Sequence, residues 1–123
     1  MSYSILFEPY RFLELANKLV DDKNYDEDCR SRTVVGRAYY SAFLTAYKKM
    51  RDLGISLQDV ERIHKETIEA LQGYDYGLAS KLYKLRDYRN DADYHMDVRM
   101  SIALARSCLR LSQQIISRID TLR

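Results

Sequence analysis

From Thr33 to Leu53 the chain reads TVVGRAYYSAFLTAYKKMRDL, and its apolar residues return in steps of three and four: Val35, Ala38, Tyr39, Ala42, Phe43, Ala46, Tyr47 and Met50. A stripe that keeps this period for about five turns specifies one long amphipathic helix, and such a face must be covered by other packed elements. The rest of the chain supplies covers of the same kind. Phe12, Leu13, Leu15, Ala16, Leu19 and Val20 predict a first helix from Tyr10 to about Val20, with Pro9 where a first turn tolerates proline. A shorter helix is expected from about Leu57 to Leu71, and another through LASKLYKLRDYR at 78–89. A last one is expected from about Val98 to Ile119, carrying Ile102, Ala105, Leu109, Ser112, Ile116 and Ile119 on one face.

The connections are equally restricted. DDKNYDEDCRS at 21–31 reads as a polar connection with Asp28 or Ser31 as a cap, Gly54 closes the long helix, and QGYDYG at 72–77 is a loop. With four glycines and one proline in 123 residues, there is little to punctuate anything but long helices. No strand-period alternation, internal repeat or low-complexity tract interrupts the pattern. The expected fold is all-α, one domain over residues 1–123, an antiparallel bundle of four to five helices. Tyr39, Tyr40, Tyr47, Tyr83 and Tyr88 fall within the helical patterns and are expected to pack in the core or against a partner chain, hydroxyls at the edge.

Several function classes lose their footing. Cys29 and Cys108 fit no zinc or redox spacing and suit a reduced, intracellular protein. The first twenty residues carry Glu8, Arg11 and Glu14 within the apolar pattern, so no signal peptide is expected. No stretch approaches the roughly 18 apolar residues of a membrane span, and a soluble, cytoplasmic protein with no membrane partner follows as the expectation. A nucleophile elbow, a phosphate-cradling glycine loop, a His-Glu-x-x-His helix and a Cys-x-x-Cys pair are all missing. The formal net charge of +2 argues little by itself, although arginines gather at 86, 89, 99, 106 and 110.

Only two histidines are present. His64 lies in ERIHKETIEAL on the face of Ile68 and Leu71, and reads as a hydrogen-bonded residue at the bundle edge. His95 ends the stretch RNDADYH, behind Arg89, Asn90, Asp93 and Tyr94. Arginine offers a permanent cation whose planar fork suits phosphate oxygens, and histidine exchanges a proton near neutrality. Together they are the groups needed to cleave RNA: a base for the ribose 2′-hydroxyl and a cation for the charge that builds on phosphate, with no metal or other cofactor required.

Six residues correspond to about 240° of helical rotation, so one continuous helix would hold Arg89 and His95 on different faces. Either the helix breaks near Ala92 to Tyr94, which the three aspartates favour, or two subunits assemble the site. Two other readings stand beside this one. Asp91, Asp93 and His95 could converge on a metal from an extended loop, and the whole stretch could be a solvated helix end whose charges pair locally.

GRAYYSAFLTAYKKM at 36–50, IHKETIEAL at 63–71 and RNDADYH at 89–95, taken together, resemble the HEPN domain, a family of small helical bundles in higher eukaryotes and prokaryotes. Arg89, Asn90 and His95 match the arginine, polar residue, spacer and histidine of its catalytic members, and Ala92-Asp93-Tyr94 matches a prokaryotic branch. The resemblance covers the chain from about Ser31 to its last residue. It implies a homodimer whose two motifs line a shared cleft, metal-independent cleavage of an RNA substrate, and a role as a toxin in toxin–antitoxin or phage-defence systems. In that frame Arg89 and His95 are catalytic, Asn90, Asp93 and Tyr94 support them, and Arg86 and Arg99 bind phosphate. A nucleotidyltransferase antitoxin is the implied partner. Members adenylylated by such a partner end in His-x-Tyr, whereas position 97 here is Asp97, so the resemblance does not extend to that modification. The rival expectations are a non-catalytic HEPN module that binds a nucleotidyltransferase or RNA, and a purely structural helical dimer.

Overall fold

The computed structural model describes residues 7–122, so the reading of the first six residues lies outside it. Helix α1 spans Tyr10–Leu19, α2 Glu27–Asp52, α3 Ile63–Gln72, α4 Tyr76–Tyr94 and α5 Ile102–Ile119, with a single 3₁₀ turn at Val60–Arg62 before α3. Among the described residues there is no strand, and the five helices pack into an all-α bundle.

α2 is its axis. Val34, Val35, Ala38, Tyr39, Ala42, Phe43, Ala46 and Met50 are buried, while Tyr47, in the same stripe, is half-buried. Burial also reaches Ser31 and Ser41, because α2 is covered by α1, α4 and α5 together. The Ser31 hydroxyl is buried with no partner among the described residues, whereas two other small hydroxyls bond to backbone carbonyls. Ser41 donates to the carbonyl of Pro9 at 2.9 Å, and Ser112 of α5 donates to the carbonyl of Ala38 at 2.7 Å.

The helix ends correct several expectations. α2 starts inside the tract read as a connection, because Asp26 accepts from the Cys29 amide and Glu27 and Asp28 sit in the first turn, where carboxylates suit the helix dipole. Neither Asp28 nor Ser31 is the cap. Asp59 accepts from the Glu61 amide and so delays the third helix past Leu57. Asp75 accepts from the Leu78 amide, which draws Tyr76 and Gly77 into α4 and shortens the expected loop. Ser101 accepts from the Leu104 amide, and α5 therefore begins at Ile102 and not near Val98. Gly54 does close α2, in the left-handed region at φ 90° that glycine reaches without strain. Of the five helical tyrosines, Tyr39 is fully buried, Tyr40, Tyr47 and Tyr88 are half-buried, and Tyr83 is exposed.

α2 and α4 run in opposite senses where they touch. Arg32, early in α2, meets the backbone of Asp91 to Val98, whereas Tyr40, two turns later, meets Arg89. That crossing positions every residue of the RNDADYH stretch.

Candidate functional site at the end of α4

The interruption expected near Ala92 to Tyr94 falls at the far edge of that window. α4 continues through Tyr94 and stops at His95, whose φ of −110° and ψ of 86° leave the helix while its amide still donates to the Asp91 carbonyl at 3.1 Å. The aspartates that argued for a break find partners one turn away. Arg89 Nε donates to Asp93 at 2.9 Å, and His95 Nδ1 lies 2.7 Å from an Asp91 oxygen. Pairs four residues apart support a helix end in place of unravelling it.

A residue distant in sequence completes the stop. The Arg32 guanidinium donates through Nη1 to the carbonyls of Asp91, Ala92 and His95, at 3.3, 3.0 and 3.3 Å, and through Nη2 to that of Val98. Its Nε is held by Asp28 at 3.1 Å. The last carbonyls of a helix have no partner within it, and here one half-buried cation serves them. Arg32 was not among the residues singled out from the sequence. Its only local signal is the Asp28–Arg32 spacing of four, which any exposed ion pair would share.

Arg89 is nearly enclosed, its side chain 13% exposed. Besides Asp93 it donates to Asn90 Oδ1 at 3.2 Å and to the Tyr40 hydroxyl at 2.8 Å. Its guanidinium carbon lies 5.1 Å from the Tyr40 ring centre and 5.5 Å from that of Tyr94. Three of the five guanidinium N–H groups are thus engaged, and two remain. Asn90, Asp93 and Tyr94 therefore gather around Arg89.

His95 is on the other side of the helix end. Its side chain is 55% exposed, Asp91 holds Nδ1, and Nε2 has no partner among the described residues. No hydrogen bond joins it to Arg89. Arg86 sits one turn before Arg89 on the same side of α4, and its charge acts on Tyr39 and His64. Arg99 stands apart, in a cleft with Asp26, Glu27, Asp28 and Asp97. Asp91 and Asp93 are held by different partners, His95 and Arg89, and among the described residues no three His, Cys, Asp or Glu side chains gather as a metal site.

The second histidine is closer to Arg89 than its sequence position suggests. His64 Nδ1 shares a 2.6 Å hydrogen bond with the buried Tyr39 hydroxyl, and the ring stacks on Phe43 with centres 4.1 Å apart. Burial, reinforced by the positive charges of Arg86 and Arg89, pushes its pKa down to about 4, so the ring is neutral at pH 7. Burial also raises Tyr39 above the ordinary phenol value. Both cysteines are free; Cys29 is exposed, and burial pushes Cys108 up to about 12, which leaves it a thiol.

No protein-family model matches the chain, and no match to it is found among curated proteins or among solved structures. No helix among the described residues is long and apolar enough to cross a membrane.

Proposed function

We propose that the chain is a metal-independent endoribonuclease of the HEPN type, a toxin or phage-defence effector that acts as a homodimer. The observation that carries this reading is the imidazole of His95, fixed through Nδ1 by Asp91 while Nε2 stays unpartnered on an exposed ring. A carboxylate that holds one ring nitrogen and leaves the other free is how a histidine is oriented to take a proton. In the proposed reaction Nε2 takes the proton of a ribose 2′-hydroxyl, and the 2′-oxygen attacks the adjacent phosphorus. The 5′-oxygen leaves and takes a proton from solvent, giving a 2′,3′-cyclic phosphate. Arg89, with two N–H groups to spare, neutralises the charge on the non-bridging oxygens. Tyr40, Asn90 and Asp93 hold that fork in place.

Since α4 stays helical from Arg89 through Tyr94 and the His95 amide still donates to the Asp91 carbonyl, Arg89 and His95 of one chain lie on different sides of the helix end, and the reading requires that one chain's arginine serve the other's histidine. An Arg89→Ala chain mixed with a His95→Ala chain tests this directly. Each alone is inactive in the proposal, and the mixed dimer regains one intact site. Activity that stays lost in the mixture, or a parent that light scattering shows to be a monomer while it cleaves, overturns the shared cleft. Cleavage should persist in chelator and leave cyclic-phosphate ends; dependence on an added divalent ion overturns the metal-independent mechanism. A parent inert on every RNA tried, yet binding a nucleotidyltransferase through this end of α4, establishes the non-catalytic alternative.

A further inference from the structure

Arg37 and Arg86 are cations without anions. Both are half-buried, and neither has a hydrogen bond or ion pair among the described residues. Arg86 Nε is buried with no acceptor among the described residues. Arg37 instead lies over two rings, 4.8 Å from the Phe12 centre and 5.1 Å from that of Tyr40. Buried N–H donors are costly to leave unsatisfied, and guanidiniums in such positions normally have a carboxylate or carbonyl. The missing acceptor is therefore an informative absence.

Tyr40 links Arg37 to the proposed site, and Arg86 lies one turn before Arg89 on α4. The Tyr40 ring centre is 5.1 Å from the guanidinium carbons of both Arg37 and Arg89, so the two cations are at most twice that distance apart. Neighbouring phosphates of a single strand fall within that span. Stacking on a ring fixes the plane of each fork in advance, which lowers the entropy lost when it binds an oxyanion. Of the three guanidiniums, only Arg89 is bonded to a carboxylate, that of Asp93. The surplus of positive charge favours a polyanion over an ordinary protein surface.

We infer that Arg37, over the Tyr40 ring, and Arg86, one turn before Arg89 on α4, form a second phosphate subsite that holds the RNA strand next to the phosphate bound by Arg89. The inference rests on the ribonuclease reading for the identity of the polyanion. It can still fail or stand separately from that reading, because binding and cleavage are separate measurements.

The probe is a 2′-O-methyl RNA oligonucleotide, which lacks the attacking hydroxyl, titrated by fluorescence anisotropy over a range of salt. Arg37→Gln and Arg86→Gln should each weaken binding about tenfold, the scale of one hydrogen bond to a charged group. Each should also reduce the slope of log affinity against log salt by about 0.7, the single-strand value for one phosphate contact. Lys81→Gln, near the opposite end of α4, should do neither. If a glutamine variant loses its helical circular dichroism, Arg37→Lys and Arg86→Lys keep the charge without the fork and should fall between it and the parent. Unchanged affinity and salt slope in both arginine variants overturn the subsite, as does a parent that binds no oligonucleotide. Loss of the dimer with RNA affinity intact also overturns it and assigns these arginines to a second copy of the chain. A parent that binds as described but cleaves no unmodified RNA leaves the subsite standing and removes the ribonuclease.

Discussion

The two histidines occupy opposite kinds of site. His64 is clamped against Phe43 and bonded to a buried phenol, in a place that keeps it uncharged. His95 stands at the mouth of a helix, over half exposed, with one nitrogen anchored and the other unpartnered. The same ring contributes packing in one place and accessible chemistry in the other. What differs is the element behind it: α3 lays His64 against the aromatic face of α2, whereas the end of α4 carries His95 past the last helical turn.

The largest effect that could break this contrast is on catalysis. His95→Ala should lower RNA cleavage by about 100-fold or more, the usual contribution of a proton-transfer group, with helical content and melting temperature unchanged. His64→Ala should do the reverse, leaving cleavage near the parent value and lowering stability by about 1–3 kcal/mol, read by urea denaturation. If the two variants exchange behaviours, the roles assigned to the two sites are inverted.

Next in size is the support under His95. Arg32→Met keeps much of the side-chain volume but removes the donors that serve Asp91, Ala92, His95 and Val98, and should cost about 1–3 kcal/mol. Hydrogen exchange should show the loss concentrated in the last turn of α4, with cleavage falling as His95 loses its anchor. Uniform destabilisation with normal cleavage would mean that Arg32 acts on the bundle as a whole.

The smallest effect concerns pH. The folded pKa of His64, about 4, lies below the ordinary imidazole value of 6.5, so between these values the unfolded chain binds more protons. Its contribution to stability is complete above pH 6.5 and is lost as pH falls toward 4. Solvent screening at this half-buried ring limits its size. His64→Gln should flatten the stability profile in that window, and an identical slope in parent and variant would assign the acid sensitivity to other groups.

Legibility followed the range of the interaction. The long stripe of α2 was readable because helical period and burial act on the same residues, and Gly54 because only its own backbone is involved. His64 was readable as a packing residue from its place beside Ile68 and Leu71, though not its bond to Tyr39 across 25 positions. The end of α4 was legible in position, since the helix stops at Tyr94, but not in cause. Three aspartates within Asn90 to Arg99 count against a helix on propensity alone, but Asp91 and Asp93 each meet a hydrogen-bonding side chain four residues away, His95 and Arg89. The cap on the carbonyls comes from Arg32, about sixty residues earlier in the chain. Likewise RNDADYH marked Arg89, Asn90, Asp93 and Tyr94 as one group, which the structure gathers, while it could not show that Tyr40 completes the group.

The sequence by itself determined that this chain is helical, where its central helix lies, and which arginine and histidine deserve a chemical reading. These follow from periodicity, from the scarcity of glycine and proline, and from side-chain chemistry, all of which are local. The tertiary structure alone decided how far α4 runs, which histidine is packed and which is open, and that Arg37 and Arg89 meet over one tyrosine. Those outcomes depend on the crossing of α2 and α4, which brings Arg32 and Tyr40 against residues about fifty to sixty positions away, a distance that no local pattern spans.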